Sequence, residues 1–220
     1  EGLKQKLTIP IYENTNILKV KRRNEYYFCY TNKHHIKAKI VILACHYPFF
    51  LIPYLFPLKC YPEKSYIMAK KGVEQKENTI TIGHPTLSQR TFKDNQITLI
   101  GSHKTSDTFS IKENFSPLLA SNPDYIWSNE DLMTFDFLPF IGRLKENLYL
   151  ATGYNTWGMT NATLAGKIIS DLIFKKPNLY VPLFDPHRSN FLARTTYVGK
   201  TSKEYLKAYI KPKTTKKLHY

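Results

Sequence analysis

The 220-residue chain is 42% hydrophobic and 22% charged, with 16 Tyr and 13 Phe, a balance that excludes a disordered or collagen-like polymer and allows one large domain or two small ones. Its net charge of +15 is uneven, because seven lysines (200, 203, 207, 211, 213, 216, 217) stand against Glu204 alone between Thr196 and Tyr220. Such a tail can meet nucleic acid or anionic lipid through counterion release or stay as a solvated terminus. No RNA-binding or zinc-finger signature accompanies it, which argues against nucleic acid as a partner.

In chain order, "NILKVKRR" (16–23) and "EYYFCYT" (25–31) predict a hairpin turning at Asn24. "KAKIVILA" (37–44) predicts a third strand whose apolar end is covered on both faces, so the three form a meander feeding a larger sheet. The apolar run 41–58 nears membrane-spanning length, but Pro48, Pro53 and Pro57 interrupt it, and no membrane span is expected. "SYIMAKK" (65–71), "NTITIGH" (78–84) and "QITLIGS" (96–102) predict a second β block, with a turn at Lys93–Asn95. Residues 113–125 read as a short helix or a loop, and "ENLYLATG" (146–153) as a buried strand ending at Gly153.

The last clear element is a helix. Ala165, Ile168, Ile169, Leu172 and Ile173 fall at i, i+3, i+4, i+7 and i+8. Thr160 or Asn161 is positioned to cap it, Lys175 and Lys176 follow its last turn, and Pro177 stops it. The order strand, glycine loop, helix in "GYNTWGMTNATLAGKIISDLI" (153–173) leaves the helix start without an acidic residue. Its free N–H groups therefore suit an anion or an electron-rich ring. Cys29, Cys45 and Cys60 are odd in number, widely spaced and without a CxxC, which argues against disulfides and metal clusters and points to a reducing, cytoplasmic setting. The opening at Glu1, with no signal-peptide pattern, is expected of a processed chain or a fragment.

The segment "LMTFDFLPFIGRLKENLYLATGYNTWGMTNATLAGKIISDLI" (132–173) resembles the C-terminal signature of FAD-dependent oxidoreductases related to D-amino acid oxidase and glycine oxidase. That signature reads T-x-D-x-x-P-x-I-G, then N-L-Y-x-A-T-G, a glycine loop and a helix. Thr134, Asp136, Pro139, Ile141, Gly142, Asn147, Leu148, Tyr149, Ala151, Thr152 and Gly153 match it. "KAKIVILACHYP" resembles the family strand that returns to the flavin, while "CYPEKSYIMA" and "WSNEDLMT" look like a bacterial subgroup in which a Rieske domain follows the oxidase. Similarity covers about 16–190.

The resemblance implies an α+β fold in which a mixed or antiparallel substrate-binding sheet joins the C-terminal portion of a flavin-binding α/β domain. The expected units are 1–48 (meander and flavin-domain strand), 49–131 (substrate sheet), 132–190 (strand, loop and helix of the flavin domain) and 191–220 (basic tail). FAD is the implied cofactor and a small molecule the implied substrate. The implied flavin contacts are His46, Pro139, Ile141, Gly142, Gly153, Tyr154, Asn155, Trp157, Gly158, Met159 and Thr160. Trp157 either walls the substrate side or fills core, His46 either packs or moves a proton, Asp136 holds a turn and Cys45 is a small buried hydrophobe. No catalytic residue is assigned.

Three departures bear on function. No GxGxxG follows a strand, so the unit that holds the ADP half must come from a missing segment or a separate chain. The Rieske pairs Cys-x-His and Cys-x-x-His are absent from these residues. The positions that carry a carboxylate-binding Arg in the amino acid oxidases are Asp131 and Thr156 here, which puts an ordinary amino acid substrate in doubt. Arg90 and Arg143 remain as anion contacts or surface residues. The competing function is an inactive binding module that uses the sheet and basic tail for an anionic partner.

Overall fold

The computed structural model describes residues 2–47, 56, 59–73, 77–82, 86–104, 123–189 and 195. After a single helical turn, α1 (Gly2–Gln5), come β1 (Ile17–Arg23), β2 (Tyr26–Thr31) and β3 (His35–Ala38), an antiparallel sheet in the order β1-β2-β3. Asn24 turns the hairpin at φ 54°, a left-handed conformation that Asn tolerates better than most residues. Tyr27 pins this sheet to the rest of the molecule, its buried hydroxyl donating to the Glu146 carbonyl at 2.7 Å, and Arg22 pairs with the Glu146 carboxylate beside it.

The strand expected over 37–44 is in fact two. β3 ends at Ala38, and β4 (Val41–Leu43) lies parallel to β11 (Leu148–Thr152), which is flanked on its other side by β10 (Phe140–Lys145). The break arises because one chain cannot pair with β2 and β11 at once. Val41 N–H donates to the Asn147 carbonyl at 2.9 Å only after the chain has left the first sheet.

A third sheet runs β6-β7-β8-β5-β9, built from β5 (Cys60–Lys71), β6 (Thr79–Ile80), β7 (Leu87–Phe92), β8 (Asn95–Lys104) and β9 (Tyr125–Thr134). The predicted strands at 65–71 and 96–102 are present in longer form, and of the 78–84 strand the described residues 78–82 hold only β6. The strands β7, β9 and β10 are additional to the elements predicted. β9 crosses the expected boundary at 131, so the sheet and the signature region share a strand. The expectations for 113–122, most of the proline-broken run after 47, and the tail 196–220 lie outside the described residues.

Two of the buried clusters among the described residues flank the β10-β11-β4 sheet. Leu43, Leu148 and Leu150 meet Tyr27, Phe56, Cys60, Leu132 and Phe140 on one face of the β10-β11-β4 sheet. On the other face, Ile141, Tyr149 and Ala151 meet Ala165, Ile168 and Ile169 of α2 (Gly158–Ile173) and Phe184 of α3 (Val181–Phe184). The helical period of 165–173 thus places its apolar stripe against the sheet, each buried Ile contributing about 1.5–3 kcal/mol. β11 is buried on both faces, which explains its unbroken apolar run. The α+β architecture follows the expected class. Among the described residues no helix is long and apolar enough to cross a membrane.

Candidate functional site

The loop after β11 is fixed by internal bonds. Thr152 Oγ1 donates to the His46 carbonyl at 2.8 Å, joining the ends of β11 and β4. Gly153 then turns the chain at φ +70°, where an added Cβ would lie 2.6 Å from Thr134 Cγ2, so both conformation and space demand glycine. Asn155, only 6% exposed, uses both polar atoms of its side chain and its backbone N–H. Its Oδ1 accepts the Thr134 N–H at 2.7 Å and hydroxyl at 3.2 Å, its Nδ2 donates to the Gly153 carbonyl at 2.8 Å, and its N–H donates to the Leu132 carbonyl at 3.3 Å. Asn155 and Thr156 also have φ of 51° and 68°. Left-handed backbone costs a non-glycine residue about 1–2 kcal/mol, which these hydrogen bonds offset.

The helix start differs from the capping expected. Trp157 is the cap residue, with no side-chain cap bond, and α2 begins at Gly158. Asn161 donates its side-chain amide to the Tyr154 carbonyl at 2.9 Å, a carbonyl that also receives the Trp157 N–H, and Thr160 is already helical. Asn161 N–H bonds Trp157 O. The N–H groups of Gly158, Met159 and Thr160 therefore have no acceptor among the described residues, and no acidic side chain stands in the first turn. Among the described residues no side chain covers the helix start. An added Cβ at Gly158 meets nothing within 4 Å, Trp157 is 65% exposed and Met159 86%. Three amides and the helix dipole give the opening a positive potential.

The structure thus gathers His46, Gly153, Tyr154, Asn155, Trp157, Gly158, Met159 and Thr160 at one end of the β10-β11-β4 sheet. His46 is exposed there, and Tyr154 is half-buried against the α2 core, burial pushing its hydroxyl pKa up. Pro139, Ile141 and Gly142 are engaged elsewhere. Pro139 gives its carbonyl to Arg188 at 3.0 Å, Ile141 is fully buried beneath α2, and Gly142 needs its missing side chain because a Cβ would come 2.8 Å from Pro186 Cδ. Cys45 is half-buried and Cys60 fully buried. Burial raises both thiols, Cys60 to about 12, the opposite of a reactive thiolate.

Arg188 is the residue that sequence reasoning missed. Its Nε and Nη2 donate to both Asp136 carboxylate oxygens at 2.9 and 3.0 Å, further bonds reach the Leu138 and Pro139 carbonyls, and the guanidinium lies 3.9 Å from the Phe140 ring centroid. Burial pushes the Asp136 carboxyl up, but the Arg188 bonds and charge outweigh it and hold the group below the usual range. Asp136 also holds its turn as expected, accepting the Leu138 N–H at 3.3 Å. The pair is 52 residues apart, with no local motif to announce it.

β9 carries Asp131 next to Leu132, whose carbonyl accepts the Asn155 N–H. Asp131 is half-buried, its carboxylate bonds the hydroxyl of Ser65, and His46 is close enough for its charge to be felt. Burial raises the Asp131 carboxyl, with His46 and Ser65 pulling it partly back. Arg90 is exposed on β7. Arg143 is exposed on β10 and lines a separate cavity of about 520 Å³ with Asp185, Pro186 and His187.

Comparison with known proteins places this geometry. Residues 4–172 match the family model described as DAO, FAD dependent oxidoreductase. The Bacillus subtilis protein YhfW, whose name describes a Rieske 2Fe-2S iron-sulfur protein, is 33% identical over 196 residues, covering 81% of this chain and 38% of that protein. Glycine oxidase from Geobacillus kaustophilus matches with a TM-score of 0.66 at 17% identity, over 81% of this chain and 53% of its own. L-proline dehydrogenase from P. horikoshii matches at 0.62 and 26% identity, over 79% and 53%. The chain spans about half the length of these solved relatives and less of the curated one.

Proposed function

The chain belongs to the DAO family of FAD-dependent oxidoreductases, and from that premise we propose that its residues form the ring-facing part of a flavin enzyme that oxidises a C–H bond next to an amine or hydroxyl in a small molecule. The observation that carries this reading is the trio of open amides at Gly158, Met159 and Thr160, presented by a loop that Gly153 and Asn155 hold rigid. FAD in this family supplies a hydride acceptor whose reduced ring bears negative charge. The three N–H groups and the α2 dipole meet such charge already oriented, so little reorganisation is needed. Trp157 would stand as a wall beside the ring, and His46 would hold or move a proton at its imidazole.

The ADP half of the cofactor would be held by polypeptide outside these residues or by another subunit. β4 supports this, being an edge strand of its described sheet, with Ile42 opposite Tyr149 on the α2 face and yet 48% exposed. An unpaired edge with an apolar flank is suited to further strand pairing. Cys29, Cys45 and Cys60 are in no disulfide among the described residues, which supports a reducing setting such as the cytoplasm.

The test is to add FAD to the full-length protein and follow flavin absorbance through gel filtration. Stoichiometric retention is expected, and flavin eluting free would refute the reading. For residues 1–220 alone, a dissociation constant tighter than about 1 μM would refute the need for a further unit.

A further inference from the structure

We propose that Asp131 sets the specificity of this site by anchoring the ammonium group of a small amine, selecting amines that lack a carboxylate over amino acids. The inference rests on the flavin-oxidase reading for where the substrate lies, and deepens it.

Asp131 is next in sequence to Leu132, whose carbonyl takes the Asn155 N–H, so its backbone is held against the glycine loop. Strand alternation turns its side chain away from Leu132, which is committed to the inter-sheet core, and onto the face shared with Ser65, Asn129 and Trp127. His46, three residues past the end of β4, is near enough for its charge to act on it. The backbone of Asp131 therefore adjoins the inner part of the loop whose outer part offers the open amides, while its carboxylate lies on the sheet face with Ser65 and His46 near it.

Its partners compensate it only in part, the charge of His46 acting on it from nearby without an ion pair. The hydroxyl of Ser65, itself 3% exposed, is a neutral donor, and among the described residues no Lys or Arg makes an ion pair with Asp131. Directly across β5 stands Glu63, and like charges opposite one another on a sheet repel. A half-buried carboxylate in that position carries a desolvation cost that a bound cation would remove. The raised Asp131 carboxyl is a sign of that cost. Trp127, 42% exposed on the same face, offers an aromatic surface suited to an alkylammonium.

The same residue works against a zwitterion. A carboxylate brought beside Asp131 meets repulsion, and Thr156, exposed at φ 68°, supplies no guanidinium to hold it. A simple amine gains the attraction without that opposing contact.

The experiment is calorimetric titration of the full-length protein at neutral pH with 1,4-diaminobutane, butylamine, glycine and acetate, with the flavin spectrum recorded in the same samples. Both amines should bind at least tenfold tighter than glycine or acetate. Asp131→Asn should weaken amine binding tenfold or more without lowering thermal stability, and Asp131→Glu should recover part of it. Amine binding that is absent, or equal in the wild type and in Asp131→Asn, overturns the proposal, as does a wild-type preference for acetate. Failure of the two readings is distinguishable. Flavin bound with amine affinity indifferent to Asp131 defeats this proposal alone, whereas Asp131-dependent amine binding without any flavin uptake defeats the flavin reading alone.

Discussion

The inner and outer parts of one short loop behave as opposites. Gly153 and Asn155 are buried and bonded to β9 or to each other, and the Tyr154 carbonyl is taken by Trp157 and Asn161, whereas from Trp157 to Thr160 the side chains stand in the open and three successive amides have no described acceptor. The inner part fixes a backbone shape, and the outer part offers donors to something else. Substitutions on the inner side should therefore reduce stability first, and those on the outer side should reduce binding with the fold intact.

The largest expected effect lies behind the inner part, at the bond that braces the turn between β9 and β10. Arg188→Ala leaves Asp136 charged and half-buried without its partner, and urea unfolding should show a loss of about 3–5 kcal/mol. The acid limb should change with it. The folded Asp136 carboxyl is depressed, so its stabilisation is present above the unfolded value of about 4 and disappears as pH falls through the folded value. That step should be missing in Arg188→Ala. A variant as stable as the wild type would show that the brace contributes nothing.

Next come the inner residues themselves. Asn155→Ala strips a buried acceptor from Thr134 and a donor from the Gly153 carbonyl, and should cost about 2–3 kcal/mol in the same measurement. Gly153→Ala should cost a similar amount, about 2 kcal/mol, because the new methyl must occupy a left-handed backbone against Thr134. On the outer side, Gly158→Pro removes one open amide at a helical position where proline is tolerated, the preceding Trp157 lying at φ −91°, ψ 44°. Its stability should change by less than about 1 kcal/mol, while FAD affinity of the full-length protein falls about tenfold, as a lost charge-assisted hydrogen bond implies. Equal losses of stability and affinity in both sets of variants would erase the contrast between the two parts.

Local signals made part of this legible. The hairpin at Asn24, the turn at Lys93 and the stripe Ala165, Ile168, Ile169 depend on neighbours in sequence, and they appear where the pattern puts them. The matched Thr134 and Gly153 acquire a physical meaning in the structure, since the threonine methyl sets the glycine and its backbone holds Asn155. What escaped was non-local. β9 reads apolar, polar, apolar because its first six residues are exposed and its last three buried, so neither alternation nor a continuous run marks it. The break between β3 and β4 depends on which sheet each half joins, and the role of Asn161 on a carbonyl seven residues away rather than on the helix start it was expected to cap.

The smallest effect separates a residue kept for binding from one kept for the fold. Burial raises the Asp131 carboxyl in the folded chain, opposed by His46 and Ser65. For an acid with a raised folded value, the stabilising contribution is complete below the unfolded value and is lost as pH rises through the folded one. The wild type should therefore give up stability between about pH 4 and neutrality that Asp131→Asn retains. The variant should match the wild type near pH 3.5 and exceed it slightly at pH 7.5, by no more than about 1 kcal/mol in paired urea melts. Saturating 1,4-diaminobutane should then close the gap at pH 7.5, since the cation stabilises only the carboxylate form. An Asp131→Asn chain less stable than the wild type at pH 7.5 would mean that the carboxylate supports the fold, and the residue would then belong with Asn155 rather than with the open amides.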